Sequence, residues 1–85
     1  MTIDEIKEFF KENKKMRGTL TSGEVATIMS VCPFLTLEMD RNSQEYYYSI
    51  KCEHLKSIED KGFFNDLKTL GWSLSDDFNF LVLYV

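Results

Sequence analysis

The last eight residues of the chain read Phe78-Asn79-Phe80-Leu81-Val82-Leu83-Tyr84-Val85 and are apolar almost throughout. A run of this length and composition is typical of a strand that packs on both of its sides. We therefore predict a strand over residues 78–85 in the interior of a sheet. The C-terminal end of the chain is then expected to belong to the core and not to form a tail.

Two capping boxes mark the expected starts of two helices. Thr2 is followed by Glu5 and Thr21 by Glu24, so each pair can exchange hydrogen bonds between one side chain and the other's backbone. Apolar residues recur at helical spacing behind both boxes. The pattern predicts a first helix that ends near Arg17 and a second that ends before Pro33. The second helix is expected to bury Val25, Ala26, Ile28, Met29 and Cys32.

A β-hairpin is predicted after the second helix. Apolar and polar residues alternate over residues 34–39, which favours a strand whose apolar members face the core. A polar turn then leads into a second strand over residues 45–52. The period of two directs Tyr46 and Tyr48 towards the core and leaves Tyr47 as the exposed aromatic residue.

The third helix is predicted over residues 55–70, with Gly71 as its terminator. The element order is then α-α-β-β-α-β, which indicates an α+β fold of two layers in a single domain, residues 1–85. In that fold the helices cover one face of a three-stranded sheet. We expect the last strand to lie in the interior, beside the first strand.

Charge is distributed unevenly along the chain, whose net charge is −4. Residues 1–17 carry five basic and four acidic residues, with Lys14, Lys15 and Arg17 at the end of the first predicted helix. Residues 18–85 carry five basic and ten acidic residues. The acidic body favours a basic partner and opposes general docking onto phosphates.

No group of residues in the sequence matches a known catalytic, metal or cofactor motif. His54 is the only histidine, and the cysteines Cys32 and Cys52 lack the paired spacing of zinc sites. We therefore expect no enzymatic activity, no cofactor and two reduced cysteines in the core. The acidic start of the chain and the absence of a long apolar stretch predict a cytoplasmic protein that does not enter a membrane.

Residues 20–32, Leu20-Thr21-Ser22-Gly23-Glu24-Val25-Ala26-Thr27-Ile28-Met29-Ser30-Val31-Cys32, resemble part of a DNA-binding motif. The resemblance is to the first helix and turn of the helix-turn-helix in the mercury-resistance-regulator and excisionase families, and it implies DNA binding. In this alternative, Lys14, Lys15 and Arg17 would contact the phosphate backbone. The recognition helix should follow, but residues 34–40 alternate like a strand and carry acids.

The favoured hypothesis is a non-catalytic module that binds a basic protein, which would be a nucleic-acid-handling enzyme. Small size, acidity and a complete fold without a catalytic motif resemble the general profile of phage or mobile-element inhibitors, such as anti-CRISPR and anti-restriction proteins. A second alternative is a homo-oligomeric structural subunit that pairs through the strand edge at residues 46–51. The residues expected at the partner interface are Glu53, Glu59, Asp60, Asp66, Asp76 and Asp77, with Tyr47 as an exposed aromatic contact.

Overall fold

A computed structural model describes residues 1–14 and 18–85 and shows a small α+β domain, as predicted. The described residues form three α-helices, one 3-10 turn and an antiparallel sheet in the order β1-β2-β4-β3. The sheet therefore has four strands and not the expected three. Lys15 and Arg17 lie outside the described residues. The elements are α1 (Ile3–Lys11), α2 (Ser22–Val31), β1 (Thr36–Asp40), β2 (Glu45–Lys51), the 3-10 turn (Cys52–Leu55), α3 (Lys61–Leu70), β3 (Ser73–Leu74) and β4 (Phe80–Tyr84).

Both predicted capping boxes are confirmed. The Thr2 hydroxyl accepts a hydrogen bond from the Glu5 N–H at 3.1 Å, and the Glu5 carboxylate accepts one from the Thr2 N–H at 3.0 Å. Thr21 and Glu24 exchange the same two bonds at 3.1 and 2.9 Å. Each box satisfies N–H groups at a helix start that have no partner within the helix.

Helix α1 ends at Lys11, several residues before the predicted end. The Asn13 N–H donates to the Phe10 carbonyl at 3.0 Å, which is the tighter closure of a 3-10 turn. Beyond this turn, the Asn13 side-chain amide donates to the carbonyls of Lys68 and Trp72 at the end of α3. This tertiary contact draws the chain away from the helical path.

The third helix begins at Lys61 and not at residue 55, because Asp60 caps it and accepts a hydrogen bond from the Gly62 N–H at 2.9 Å. The predicted terminator is confirmed, since Gly71 adopts a left-handed conformation with φ of 101°. The Gly71 N–H donates a hydrogen bond to the Lys68 carbonyl, and the Trp72 N–H donates one to the Leu67 carbonyl, both at 3.1 Å. Together these two hydrogen bonds form a Schellman motif.

The final strand is an interior strand, but it lies between β2 and β3 and not beside β1. Strand β3 was not predicted from the sequence, because it has only two residues. Because β3 and β4 form a hairpin, the chain reverses once more after α3, and β4 runs antiparallel to β2. The strand also starts two residues late, since Phe78 has a φ of 61° and belongs to the hairpin turn.

The strand register defines two faces of the sheet, because residues directly opposite each other on neighbouring strands point to the same side. Ile50 lies opposite Leu81, and Tyr48 lies opposite Leu83. This face joins side chains from all three helices in the main hydrophobic core, so it is called the helix face. The core residues are Ile6, Phe10, Leu20, Ile28, Cys32, Leu35, Ile50, Cys52, Leu55, Phe63, Phe64, Leu67, Trp72, Leu81 and Leu83.

The two cysteines are buried in this core and are not bonded to each other. Burial raises the pKa of both the Cys32 and the Cys52 thiols. The expected core position is therefore confirmed. In the described part of the chain, none of the helices has the length and apolarity that crossing a bilayer requires.

At the β1 end of the sheet, several side chains point to the predicted face but are not buried as predicted. Leu37, Met39 and Tyr46 are 56%, 47% and 54% exposed although all three lie on the helix face. The reason is that the core ends at Leu35, so none of the described helices contributes core residues over this part of the helix face. On the other face, Tyr47 is half-buried and not fully exposed.

Helix α2 is also more exposed than its sequence pattern suggests. Ala26 and Met29 are exposed and Val25 is only half-buried, so the helix contributes Ile28 and the adjoining Cys32 to the core. Beside it, a groove of about 550 Å³ separates α2 from α3. The outer apolar residues of α2, Met29 and Val31, are therefore exposed to solvent.

Two alanine substitutions test the roles of the glycines in this fold. Gly71→Ala should lower the free energy of unfolding by about 1 kcal/mol, because a side chain disfavours the left-handed conformation. Gly23→Ala should raise it, because alanine favours the helix and the nearest atom to its methyl group, Thr21 Oγ1, is 3.9 Å away. Urea unfolding followed by Trp72 fluorescence measures the free energy of unfolding of both variants. Changes of the same sign would contradict the left-handed conformation of Gly71 or the helical conformation of Gly23.

Candidate functional site

A cleft of about 310 Å³ lies on the sheet face opposite the helix face. Its floor contains Ser49 and Val82, which are opposite each other in the sheet and are both buried. Carboxylates from two separate parts of the chain surround this floor, together with two tyrosine rings. We call this site the acidic cleft and define it by Glu38, Asp40, Tyr47, Asp76, Asp77 and Tyr84.

The β3–β4 hairpin supplies Asp76 and Asp77 to one side of the cleft. The Ser75 hydroxyl donates to Asp77 Oδ1 at 2.6 Å, and the Asn79 N–H donates to the same oxygen at 3.0 Å. These hydrogen bonds hold the pKa of Asp77 below its ordinary value. Asp77 therefore carries its negative charge at neutral pH and also shapes the turn that presents Asp76.

Strand β1 supplies Glu38 and Asp40 to the opposite side. A period of two places both on the cleft side of the strand, where Glu38 lies opposite Tyr47 on β2. Glu38 Oε2 also accepts a hydrogen bond from the buried Ser49 hydroxyl at 3.4 Å. The carboxylate is thus held over the floor of the cleft by its neighbouring strand.

The aromatic part of the cleft is the pair Tyr47 and Tyr84, whose ring centroids are 5.6 Å apart on adjacent strands. Burial raises the pKa of the Tyr47 phenol, and the negative charge of Glu38 and a hydrogen bond to that carboxylate raise it further. Tyr84 and Asp40 act in the same direction. The phenol therefore stays protonated in a negative electrostatic environment.

This combination of groups is suited to a cationic side chain. Carboxylates form charge-assisted hydrogen bonds with lysine or arginine, and tyrosine rings attract the same cations through their faces. A phosphate group would instead meet the repulsion of the clustered carboxylates. Within residues 1–14 and 18–85, no three histidine, cysteine, aspartate or glutamate side chains are arranged to hold a metal ion.

The sequence-predicted interface residues lie in several places. Three of the seven, Asp76, Asp77 and Tyr47, line the acidic cleft. Asp66 lines the groove between α2 and α3, and Asp60 caps α3 directly after Glu59. Glu53 lies on the 3-10 turn, with its carboxylate 3.7 Å from the Lys51 ammonium.

Glu38, Asp40 and Tyr84 line the cleft but were not among the predicted interface residues. The alternation in β1 already placed Glu38 and Asp40 on one side of the strand, but that side could not be matched to Asp76 without the strand order. Tyr84 lies opposite Tyr47 because β4 pairs with β2. The missing signal was therefore the pairing of β2 with β4.

Comparison of the chain with protein-family models, with curated proteins and with solved structures found no match.

The electrostatic coupling inside the cleft can be measured by titration of Tyr47. Glu38→Gln should lower the pKa of this phenol, because it removes the negative charge that contributes most to raising it. Nuclear magnetic resonance of isotope-labelled tyrosine rings separates Tyr47 from the other three tyrosines. Glu53→Gln is the matched control and should leave the value unchanged, whereas an unchanged pKa in Glu38→Gln would contradict the coupling.

Proposed function

We propose that the chain is a non-catalytic protein-binding module whose acidic cleft receives basic side chains of a partner protein. The observation that carries the proposal is the convergence of four carboxylates, from β1 and from the β3–β4 hairpin, around Tyr47 and Tyr84. Lysine and arginine are the protein side chains that complement both kinds of group. The partner is thus a protein with a basic surface.

The partner that we favour is a cytoplasmic nucleic-acid-handling protein. Proteins of this kind carry basic surfaces that neutralise phosphates, and an acidic protein can occupy the same surface. Binding there would exclude the nucleic acid, so the module would act as an inhibitor, or as an adaptor where a second protein is recruited. Phage and mobile-element inhibitors of host defence, such as anti-CRISPR and anti-restriction proteins, are the class with this profile.

A net charge of −4 is mild for a mimic of nucleic acid, so the local arrangement has to supply the specificity. Binding energy at protein interfaces is concentrated in a few central residues, often aromatic, while surrounding charges mainly steer association. In the cleft, the paired rings of Tyr47 and Tyr84 are the central aromatic residues, and the carboxylates surround them. The proposal therefore assigns affinity to Tyr47 and Tyr84 and the association rate to the acids.

Affinity capture tests this proposal with a charge-reversed cleft. The tagged chain is passed through nuclease-treated lysate of its source, beside a Glu38→Lys/Asp76→Lys double variant. A Glu8→Lys/Glu12→Lys double variant is the control, because it makes the same charge change at exposed positions on α1 and at its C-terminal cap. We expect the wild type and the control to retain the same basic protein and the cleft variant to retain at least about tenfold less.

The identity of the retained protein gives the second readout. Addition of the wild-type chain to that purified protein should weaken its binding to nucleic acid, and the cleft variant should have a smaller effect. Equal retention by the cleft variant would contradict the assignment of the cleft. A retained protein with an acidic surface would contradict the proposal as a whole.

Two alternative functions, a DNA-binding regulator and a homo-oligomer, can be tested in the same way. For the DNA-binding regulator, helix α2 is present with its cap, but it leads into strand β1 where the recognition helix would lie. This alternative predicts that capture is lost on nuclease treatment. For the homo-oligomer, residues 46–51 were expected to form an open strand edge, but they do not, because β2 is paired on both sides. Solution mass at two concentrations tests that alternative.

A further inference from the structure

Strand β1 forms an open edge of the sheet. Among the described residues it pairs with β2 on one side and with no strand on the other. The edge at the other end of the sheet is β3, which has only two residues. An open edge presents backbone N–H and C=O groups that can pair with an additional strand, so β1 offers the longer of the two templates.

The two sides of β1 differ in chemistry. On the helix face, Leu37 and Met39 are about half exposed, and Met39 lies opposite the exposed Tyr46. On the other face, Glu38 and Asp40 form one side of the acidic cleft. An added strand would therefore meet apolar residues on one face and carboxylates on the other, in strict alternation along the edge.

We propose that β1 binds an extended segment of the partner protein, which adds a fifth strand to the sheet. The segment alternates basic and apolar residues, so that its lysines or arginines meet Glu38 and Asp40 while its apolar side chains cover Leu37 and Met39. Backbone pairing provides affinity in this mode of recognition, and alternate side chains provide specificity. The inference rests on the proposed function and names the form of the basic partner that the cleft recognises.

Charge argues against a second copy of this chain as the occupant. If two β1 strands paired antiparallel over their full length, the two Glu38 residues would lie directly opposite each other. Like charges at directly opposed positions destabilise a strand pair, whereas opposite charges stabilise it. A partner strand with lysine at that position replaces the repulsion with an ion pair.

Synthetic peptides of fixed composition test the proposal. A fluorescent peptide that alternates lysine and valine is compared with a peptide in which the same residues form two blocks, so that only charge order differs. Only the alternating peptide can place its lysines and valines on opposite faces of a strand. Fluorescence anisotropy should give an affinity about tenfold higher for the alternating peptide at moderate salt.

Charge reversal tests the contribution of the edge itself. Glu38→Lys should weaken binding of the lysine-valine peptide about tenfold and should favour a peptide that alternates glutamate and valine. The matched control Glu8→Lys changes net charge equally on α1 and should leave both affinities near those of the wild type. Equal losses in the two variants would mean that the peptide responds to overall charge, which overturns the proposal.

Methylation of peptide amides tests backbone pairing. In a strand, amides of alternate residues point to opposite sides, so only one set faces β1. Methylation of the lysine amides and of the valine amides is examined in separate peptides, and only one of the two should abolish binding. Equal effects would overturn pairing at the edge.

Two further outcomes separate this inference from the proposed function. If the block and alternating peptides bind equally and Asp76→Lys weakens both, the cleft receives basic groups without an added strand, so this inference fails and the proposed function stands. If the chain is a dimer whose mass halves in Leu37→Lys, a second copy occupies the edge. That result also overturns the inference.

Discussion

Burial of Leu81 and Leu83 against the helices determines which face of the sheet carries the acidic cleft. Because side chains alternate along a strand, these two positions direct Phe80, Val82 and Tyr84 to the opposite face. No described helix contributes to the core on that side. The β3–β4 hairpin and β1 can then present carboxylates around the tyrosine pair. The packing of the core and the geometry of the acidic cleft are thus two consequences of the same strand.

Local features of the fold were predictable because they depend on neighbours in sequence. The capping boxes at Thr2 and Thr21, the β1–β2 hairpin and the Gly71 terminator each combine residues a few positions apart. The errors arose where distant groups decide the structure. Asn13 ends α1 by reaching α3, and a strand as short as β3 has no periodicity to detect. The strand order changed with β3, since the additional reversal places β4 beside β2.

The candidate site was predictable only in part for the same reason. Asp76, Asp77 and Tyr47 were selected because they belong to an acidic turn and to an exposed-looking position in a strand. Their grouping with Glu38 and Asp40 depends on the neighbours of β2, which alternation along a single strand cannot reveal. Counting acids over residues 18–85 showed only that the body of the chain is acidic. The strand order determines where four of these acids lie close together, at the acidic cleft. The exposed apolar residues on the other face of β1 follow from the end of the core at Leu35.

The most direct measurement maps binding onto the whole chain. The isotope-labelled protein is titrated with the alternating lysine-valine peptide, and amide chemical shifts are followed for every assigned residue. Binding at the acidic cleft and its β1 edge predicts that the largest changes fall on β1, the adjoining part of β2 and the β3–β4 hairpin. Changes centred on α2, on the groove between α2 and α3 or on the basic residue Lys14 would contradict that location.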